Sequence, residues 1–386
     1  MIPLAIPDLR GNENQYLAEC ITSNFVSSVG PFVSRFEDMV ATASGNLRGV
    51  ATASGTAGLH VALVAVGVKA GDLVIMPSLT FIASANAINY CGADPWLFDV
   101  EPASWNIDCE QLANKLEEET EQRSGELIHQ PSGRRIAAIM PVHTLGLPAN
   151  MDAIVKVAKQ YDLPVVADGA AALGAIDNRR PVGALGADLT VFSFNGNKTL
   201  TCGGGGMVVG DDPALMDLIK HLTTTARNGP GYDHDRVGFN YRMTNVQAAI
   251  GCAQIERIDE LLSAKQSIRK IYNQAFAHIP GLSAFPDYSS PSADNKSSCW
   301  FSGVLIDEAD QERVGSLLSH LKKNGVESRP FWKPIHMQEP YLNAPKNNLQ
   351  VCESIWSGIV VLPCSTGLST DDQDVVISKF LQTVSN

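Results

Sequence analysis

The sequence predicts an α/β protein. A large domain over residues 1–260 is built on a mostly parallel sheet, and a small α+β domain follows over residues 261–386, with the N-terminal segment free to pack on the small domain. Three patterns predict this. Short apolar runs of strand length alternate with helix-length stretches through the first two thirds of the chain. A long helical pattern, Asn245 to Phe276, then interrupts the alternation. Beyond it, two strand-like and two helix-like segments form a smaller unit.

In chain order, Ser54 to Gly67 reads as a helix opened by Ser-Gly-Thr. Leu73 to Pro77 is a strand, Phe81 to Tyr90 a helix, Pro95 to Val100 a strand and Cys109 to Glu119 a helix. Glu121 to Arg135 is polar and reads as a surface excursion. Ile136 to Val142 is a strand and Met151 to Tyr161 a helix, followed by strands at 163–168, 189–194 and 207–209. In Asn245 to Phe276, Ile250, Ile255, Ile258, Leu262, Ile268 and Ile271 keep helical spacing, so one continuous helix is expected. Cys299–Ile306 and Ile359–Leu362 are the later strands, and Gln311–Lys323 and Thr370–Val384 the later helices.

Composition narrows the function classes. The chain has 386 residues, 45 % hydrophobic and 18 % charged, which suits a globular enzyme. A net charge of −12 argues against nucleic acid as a partner, and an anionic substrate needs a local basic pocket. The eight cysteines form no CxxC pair, which argues against a zinc site or disulfide framework and for a reducing, cytoplasmic setting. The first ten residues are too short and prolyl for a signal peptide, and the longest apolar stretch, Leu59 to Val68, is about half a membrane span, so no membrane role is expected.

Lys198 carries the chemistry. It follows the apolar run from Leu189, and Gly203 to Gly206 come soon after it. Asp168 ends another apolar run upstream. An amine and an acid at strand ends suit an enzyme that holds pyridoxal phosphate (PLP). The amine forms an imine with the cofactor's aldehyde, and the carboxylate keeps the pyridine nitrogen protonated. Ligands in open α/β sheets bind at such ends. Each residue also has a plainer reading: Lys198 as a surface lysine, Asp168 as a capping aspartate, the glycines as a turn. Ser54-Gly-Thr-Ala57 offers free amides and a helix dipole to a phosphate, or is a simple N-cap. No GxGxxG follows a strand, and Asn197 separates Gly196 from Lys198, which excludes a Walker loop.

Together these segments resemble the DegT/StrS family of PLP-dependent sugar aminotransferases along nearly the whole chain. The segments are Val26-Ser-Ser-Val-Gly-Pro31, Ser54-Gly-Thr-Ala57, Pro77 to Asn86, Phe192-Ser-Phe-Asn-Gly-Asn-Lys198 and Asn240-Tyr-Arg-Met-Thr-Asn245. The resemblance implies the type I aminotransferase fold, PLP as cofactor, L-glutamate as amino donor and a homodimer with shared active sites. Lys198 is then the Schiff-base lysine and proton shuttle. Gly55, Thr56, Ala57, Ser193 and the partner subunit's Asn240 hold the phosphate, Phe81 stacks on the ring and Asp168 meets its nitrogen. Ala171 departs from the family's usual polar residue, which leaves the ring hydroxyl without that contact and implies altered cofactor affinity rather than lost activity.

Asn-Gly-Asn-Lys198 with its glycines, and Ser328 to His336, resemble the branch acting on UDP-linked 4-keto-6-deoxy-N-acetylhexosamines at C4, for surface glycans. Arg242, Arg329, Lys333 and His336 are candidate contacts for a nucleotide-sugar diphosphate, with Trp332 as a platform. Lys333 and His336 read equally as a solvated loop face, and His143 as either a site residue or a structural hydrogen-bonder. An 8-amino-octulosonate or perosamine-type aminotransferase and a non-catalytic PLP-fold regulator are the alternatives. Dehydratases of the family carry histidine where Lys198 stands.

Overall fold

A computed structural model describes residues 1–309 and 311–384. Seven strands build the main sheet: β1 (Arg48–Thr52), β2 (Leu73–Pro77), β3 (Asp94–Phe98), β4 (Arg134–Ile139), β5 (Val166–Asp168), β6 (Leu189–Ser193) and β7 (Gly206–Gly210). Their order is β1-β7-β6-β5-β4-β2-β3, with bridges Ile139 to Val165 and Val142 to Asp168 joining β4 to β5. Only β7 runs against its neighbours. The mostly parallel sheet is the predicted one.

Strand side chains alternate between two cores, as the pleat requires. Val50, Val74, Met76, Val191 and Val208 face α3 (Gly55–Ala65), α4 (Ile82–Tyr90) and α7 (Pro213–Thr223). Ala51, Leu73, Ile75, Phe192, Met207 and Val209 face α1 (Glu13–Thr22), α2 (Pro31–Ser44), α5 (Cys109–Glu119), α6 (Met151–Gln160) and α8 (Asn245–Ile255). Both faces of the sheet are therefore dry, which is why its strands read as continuous apolar runs rather than alternating ones.

Two segments differ from expectation. The polar stretch at 121–135 is a β-hairpin, Thr120–Arg123 against Glu126–His129, that extends the sheet beside β4. Its turn, Ser124-Gly125, has both residues at positive φ (55° and 82°), the mirror-image geometry that hairpins favour. The long helix is two helices. α8 ends at Ile255, and α9 (Ile258–Phe276) starts after Arg257, whose φ of −112° is not helical. Arg257 is drawn to Asp8 at 3.2 Å and Glu260 at 2.8 Å, so a contact with the N-terminal segment breaks the axis.

α9 crosses residue 260 and leads to a second, antiparallel sheet of β8 (Leu282–Ala284), β9 (Ser302–Ile306), β10 (Arg329–Pro330) and β11 (Ile359–Leu362) in the order β8-β9-β11-β10. α10 (Gln311–Lys323) and α12 (Thr370–Val384) accompany it. The N-terminal segment lies on this unit: Ile2 bridges Val326, and the Leu4 amide donates to Glu327 at 3.1 Å.

One close approach sets up the site. A Cβ on Gly206 would lie 2.6 Å from the Gly55 nitrogen and 2.7 Å from the Ser54 carbonyl, so only glycine lets β7 touch the start of α3. Gly206→Ala is expected to push that helix start away and to lower stability by about 1–3 kcal/mol. Urea unfolding should show a lower midpoint with an unchanged slope.

Candidate active site

The carboxyl ends of β4, β5 and β6 open into a cavity of about 550 Å³ whose walls include Ser54, Gly55, Thr56, Phe81, Asp168 and Lys198. Ala171, Ser193, Trp300, Arg329 and Trp332 complete the parts that matter here. Asp168 ends β5, paired with Val191 of β6, and Lys198 stands on the loop that leaves β6. The sheet thus brings the acid and the amine to adjacent strand ends.

Asp168 is buried, 5 % exposed. Its Oδ2 accepts from the Ser84 hydroxyl at 2.6 Å, and its Oδ1 from the Ala170 amide at 3.0 Å. Burial raises its pKa, while these two donors and the charge of Lys198 work the other way. Ser84 lies one helical turn beyond Phe81 in the first turn of α4, and Thr80 holds its hydroxyl at 3.2 Å. Sequence reasoning passed over Ser84, although its spacing from Phe81 was the available signal.

Lys198 is half-buried and keeps part of its surface open to the cavity. Burial lowers its pKa from 10.5 to about 7, and Asp168 opposes that shift. The amine sits 3.4 Å from the ring centroid of Trp300, which the sequence did not mark. Of the glycines that follow, Gly203 (φ 74°) and Gly205 (φ 104°) form the turn, and Gly206 provides the close approach.

The start of α3 forms an anion cradle. Ser54 caps it, accepting from the Ala57 amide at 3.1 Å. The Ala57 N–H is engaged in that cap, and Ala57 does not line the cavity. Gly55 and Thr56 do, at the helix's open end. A Cβ on Gly55 would meet Ser193 at 2.8 Å, so the Ser193 hydroxyl lies against the same helix start.

His143 lines the cavity and is buried. Its amide donates to the Asp168 carbonyl at 3.0 Å, and its Nδ1 accepts from the Ala149 amide at 3.0 Å, which places the ring proton on Nε2. Burial pushes its pKa down to about 4, so it stays neutral. Phe81 is 53 % exposed at the mouth, 5.9 Å from Trp332. Arg329 lines the mouth and pairs with Glu327 at 3.0 Å.

Besides Ala57, four expected residues lie outside the cavity lining. Asn240 and Arg242 are exposed, on a segment whose Tyr241 carbonyl accepts from the Ala53 amide at 2.7 Å. Lys333 is exposed. His336 is neither in the cavity nor solvated. It is 4 % exposed, with Nδ1 at 2.7 Å from the Ser78 hydroxyl and Nε2 at 3.1 Å from Glu353, and it ties the end of β2 to α11 (Gln350–Ile355). That corrects its reading as a diphosphate contact.

The sequence profile of the DegT/DnrJ/EryC1/StrS aminotransferases matches residues 7–381. The chain belongs to that family. It is 38 % identical over 383 residues to a GDP-perosamine synthase of Caulobacter vibrioides, covering 98 % of this chain and 96 % of the relative. A GDP-perosamine synthase of Escherichia coli O157:H7 is 35 % identical over 376 residues, covering 96 % and 95 %. The crystal structure of the aminotransferase TlmJ from Streptoalloteichus hindustanus superposes with a TM-score of 0.87 at 27 % identity, covering 100 % of this chain and 99 % of that one.

As a DegT-family aminotransferase the chain is a PLP-dependent enzyme, and the cavity fits that cofactor. Asp168 is a buried carboxylate served by neutral donors and suited to a pyridinium N–H. Lys198 supplies the amine, and the start of α3 an anion cradle. At Ala171 the side chain is only a methyl group, and the backbone carbonyl already accepts from the Ser298 hydroxyl at 2.5 Å. The ring hydroxyl therefore gains no side-chain donor from that position.

The depressed pKa of Lys198 links to stability. The unfolded chain holds the proton up to about 10.5 and the folded chain only to about 7, so charging this amine opposes folding. The stability it contributes is present above 10.5 and is lost as pH falls toward 7. In the apoenzyme, the unfolding free energy of the parent minus that of Lys198→Met should rise with pH across this window. Chemical denaturation at stepped pH measures it; a flat difference would contradict the burial of the amine.

Proposed function

We propose that the enzyme transfers an amino group from L-glutamate to C4 of a GDP-linked 4-keto-6-deoxy sugar. The observation that carries the reading is that three relatives matching nearly end to end, at 34–38 % identity, are GDP-perosamine synthases. The cavity supports it chemically: beyond Lys198 it continues to a mouth with Arg329, Trp332 and Phe81, a cation and two aromatic faces for a diphosphate and a ring. The relatives shift the preferred nucleotide from the UDP expected above to GDP. The UDP-N-acetylhexosamine reading is kept as the second one, on the strength of the Lys198 and Ser328–His336 segments.

PLP supplies an electron-withdrawing ring that makes a proton on the amine-bearing carbon removable. The rest falls to the chain. Lys198 Nζ would hold the cofactor through its aldehyde carbon. Burial lowers the pKa of the free amine to about 7, which suits it to take and return the proton at the substrate carbon. Asp168 keeps the ring nitrogen protonated. The Gly55 and Thr56 amides and the Ser193 hydroxyl bind the phosphate, and Phe81 limits the tilt of the ring. The exposure of Asn240 and Arg242 supports their reaching a second copy's cavity in a homodimer. Lys333 is left as a rim contact at most. No helix among the described residues is long and apolar enough to cross a membrane. The cytoplasm, where nucleotide sugars are made for surface polysaccharide, is the proposed setting.

Purified holoenzyme with L-glutamate and a panel of GDP- and UDP-linked 4-keto-6-deoxy sugars tests this. Mass spectrometry should show the 4-amino product with GDP sugars, at least about tenfold faster than with UDP sugars, a discrimination of about 1.4 kcal/mol. Preference for UDP-N-acetylhexosamines would restore the second reading. No amino transfer to any member would overturn both.

A further inference from the structure

The Lys198 side chain has a flexible four-carbon stem, so something must fix where its amine points. The Trp300 ring lies beside it, 3.4 Å from amine to ring centroid. Trp300 is 4 % exposed and is anchored on several sides. Its indole Nε1–H donates to the Asn197 carbonyl at 2.7 Å, one residue before the lysine. Its amide donates to the Leu145 carbonyl at 3.1 Å. Its own carbonyl accepts from the buried Lys265 ammonium at 2.8 Å, which also reaches the Cys364 carbonyl at 2.6 Å. The ring stacks on Phe301 at 4.0 Å and lies 5.8 Å from Trp332. A plate held this firmly, touching both the reactive side chain and the loop that carries it, does more than fill space.

We infer that Trp300 is a positioning residue for Lys198: its indole face screens the amine from water and limits its sweep, and its indole N–H clamps the Asn197 carbonyl so that the loop stays in register with Asp168. The inference rests on the proposed role of Lys198 as the reactive amine. A misplacement of about 1 Å in a reacting group can cost about a hundredfold in rate, so a fixed plate beside a flexible amine matters.

The other groups around the amine come from separate elements. Asp168 follows from β5 and favours the ammonium. His143, after β4, lines the same cavity and is neutral. Arg329 stands at the mouth. Behind Lys198, Asp8 and Lys265 line a small polar void of about 10 Å³. Losing the indole face acts on the amine in two opposed ways: entry of water raises its pKa, and loss of the π face over the ammonium lowers it, so a rise reports the lost screen.

The test uses the apoenzyme, which needs neither cofactor nor substrate. Trace acetylation with acetic anhydride across pH, read on the Lys198 peptide by mass spectrometry, gives the apparent pKa. Hydrogen exchange of residues 195–203 reads the loop. Trp300→Leu removes the aromatic face and should raise the apparent pKa by about one unit or more as water enters. Trp300→Phe keeps a face and loses the N–H; its pKa should stay with the parent's while loop exchange quickens about tenfold, the loss of one hydrogen bond. Because Trp300→Phe is the milder change, the test survives if Trp300→Leu folds poorly. A parent-like pKa in Trp300→Leu, or parent-like exchange in Trp300→Phe, overturns the inference. Bound PLP should protect Lys198 from acetylation in the parent; absence of protection would strike at the role of Lys198 itself, independently of Trp300.

Discussion

Two groups of opposite charge, the half-buried Lys198 and the buried Asp168, are largely withdrawn from water at neighbouring strand ends, and the rest of the molecule is arranged around that cost. Burying an ion without full compensation costs several kcal/mol. Here the cost appears as a lysine pKa brought down to about 7 and an aspartate pKa raised. Such a site is poised rather than stable. The amine can hold or release a proton near neutrality, and the carboxylate still lacks a cation of its own among its hydrogen-bond partners. A cofactor that brings both an aldehyde and a ring nitrogen needing a proton meets both demands.

The sheet makes this affordable only because both of its faces are covered. Two cores built from alternate side chains of the same strands fix the backbone so that the polar ends have no freedom to relax. The antiparallel strand β7 returns from the Lys198 loop and touches the start of α3 through Gly206. Amine and phosphate cradle are thereby set by one backbone excursion. The N-terminal segment and the second sheet close the site from behind and above, through Asp8, Lys265 and Trp300 on one side and Arg329 and Trp332 on the other.

Much of this was legible in the sequence because it depends on local pattern. The parallel sheet followed from buried apolar runs, and Asp168 and Lys198 stood out as polar residues ending such runs. What was not legible depends on contacts between distant segments. Trp300 looked like one more apolar residue of the strand expected over Cys299–Ile306; the strand starts only at Ser302, and the fold brings Trp300 to Lys198. The break after Ile255 comes from Arg257 meeting Asp8, which helical spacing cannot show. His336 sat in a segment that resembled a substrate loop, yet Ser78 and Glu353 draw it inward. The hairpin at 120–129 is polar because it lies at the sheet edge, so hydrophobic pattern missed it, although Ser124-Gly125 was a turn signal. The Ser54 cap on the Ala57 amide, by contrast, was readable from the Ser-Gly-Thr-Ala pattern.

Among the described residues, Lys265 is a buried lysine and Lys198 a half-buried one, and their amines are differently engaged. Lys265 spends its ammonium on the carbonyls of Trp300 and Cys364, whereas Lys198 faces the cavity. Reduction of the PLP-loaded enzyme with sodium borohydride, followed by digestion and mass spectrometry, separates them directly. The predicted result is a reduced cofactor adduct on the Lys198 peptide alone. An adduct on Lys265 or any other lysine, or none at all, would contradict Lys198 as the cofactor-bearing amine.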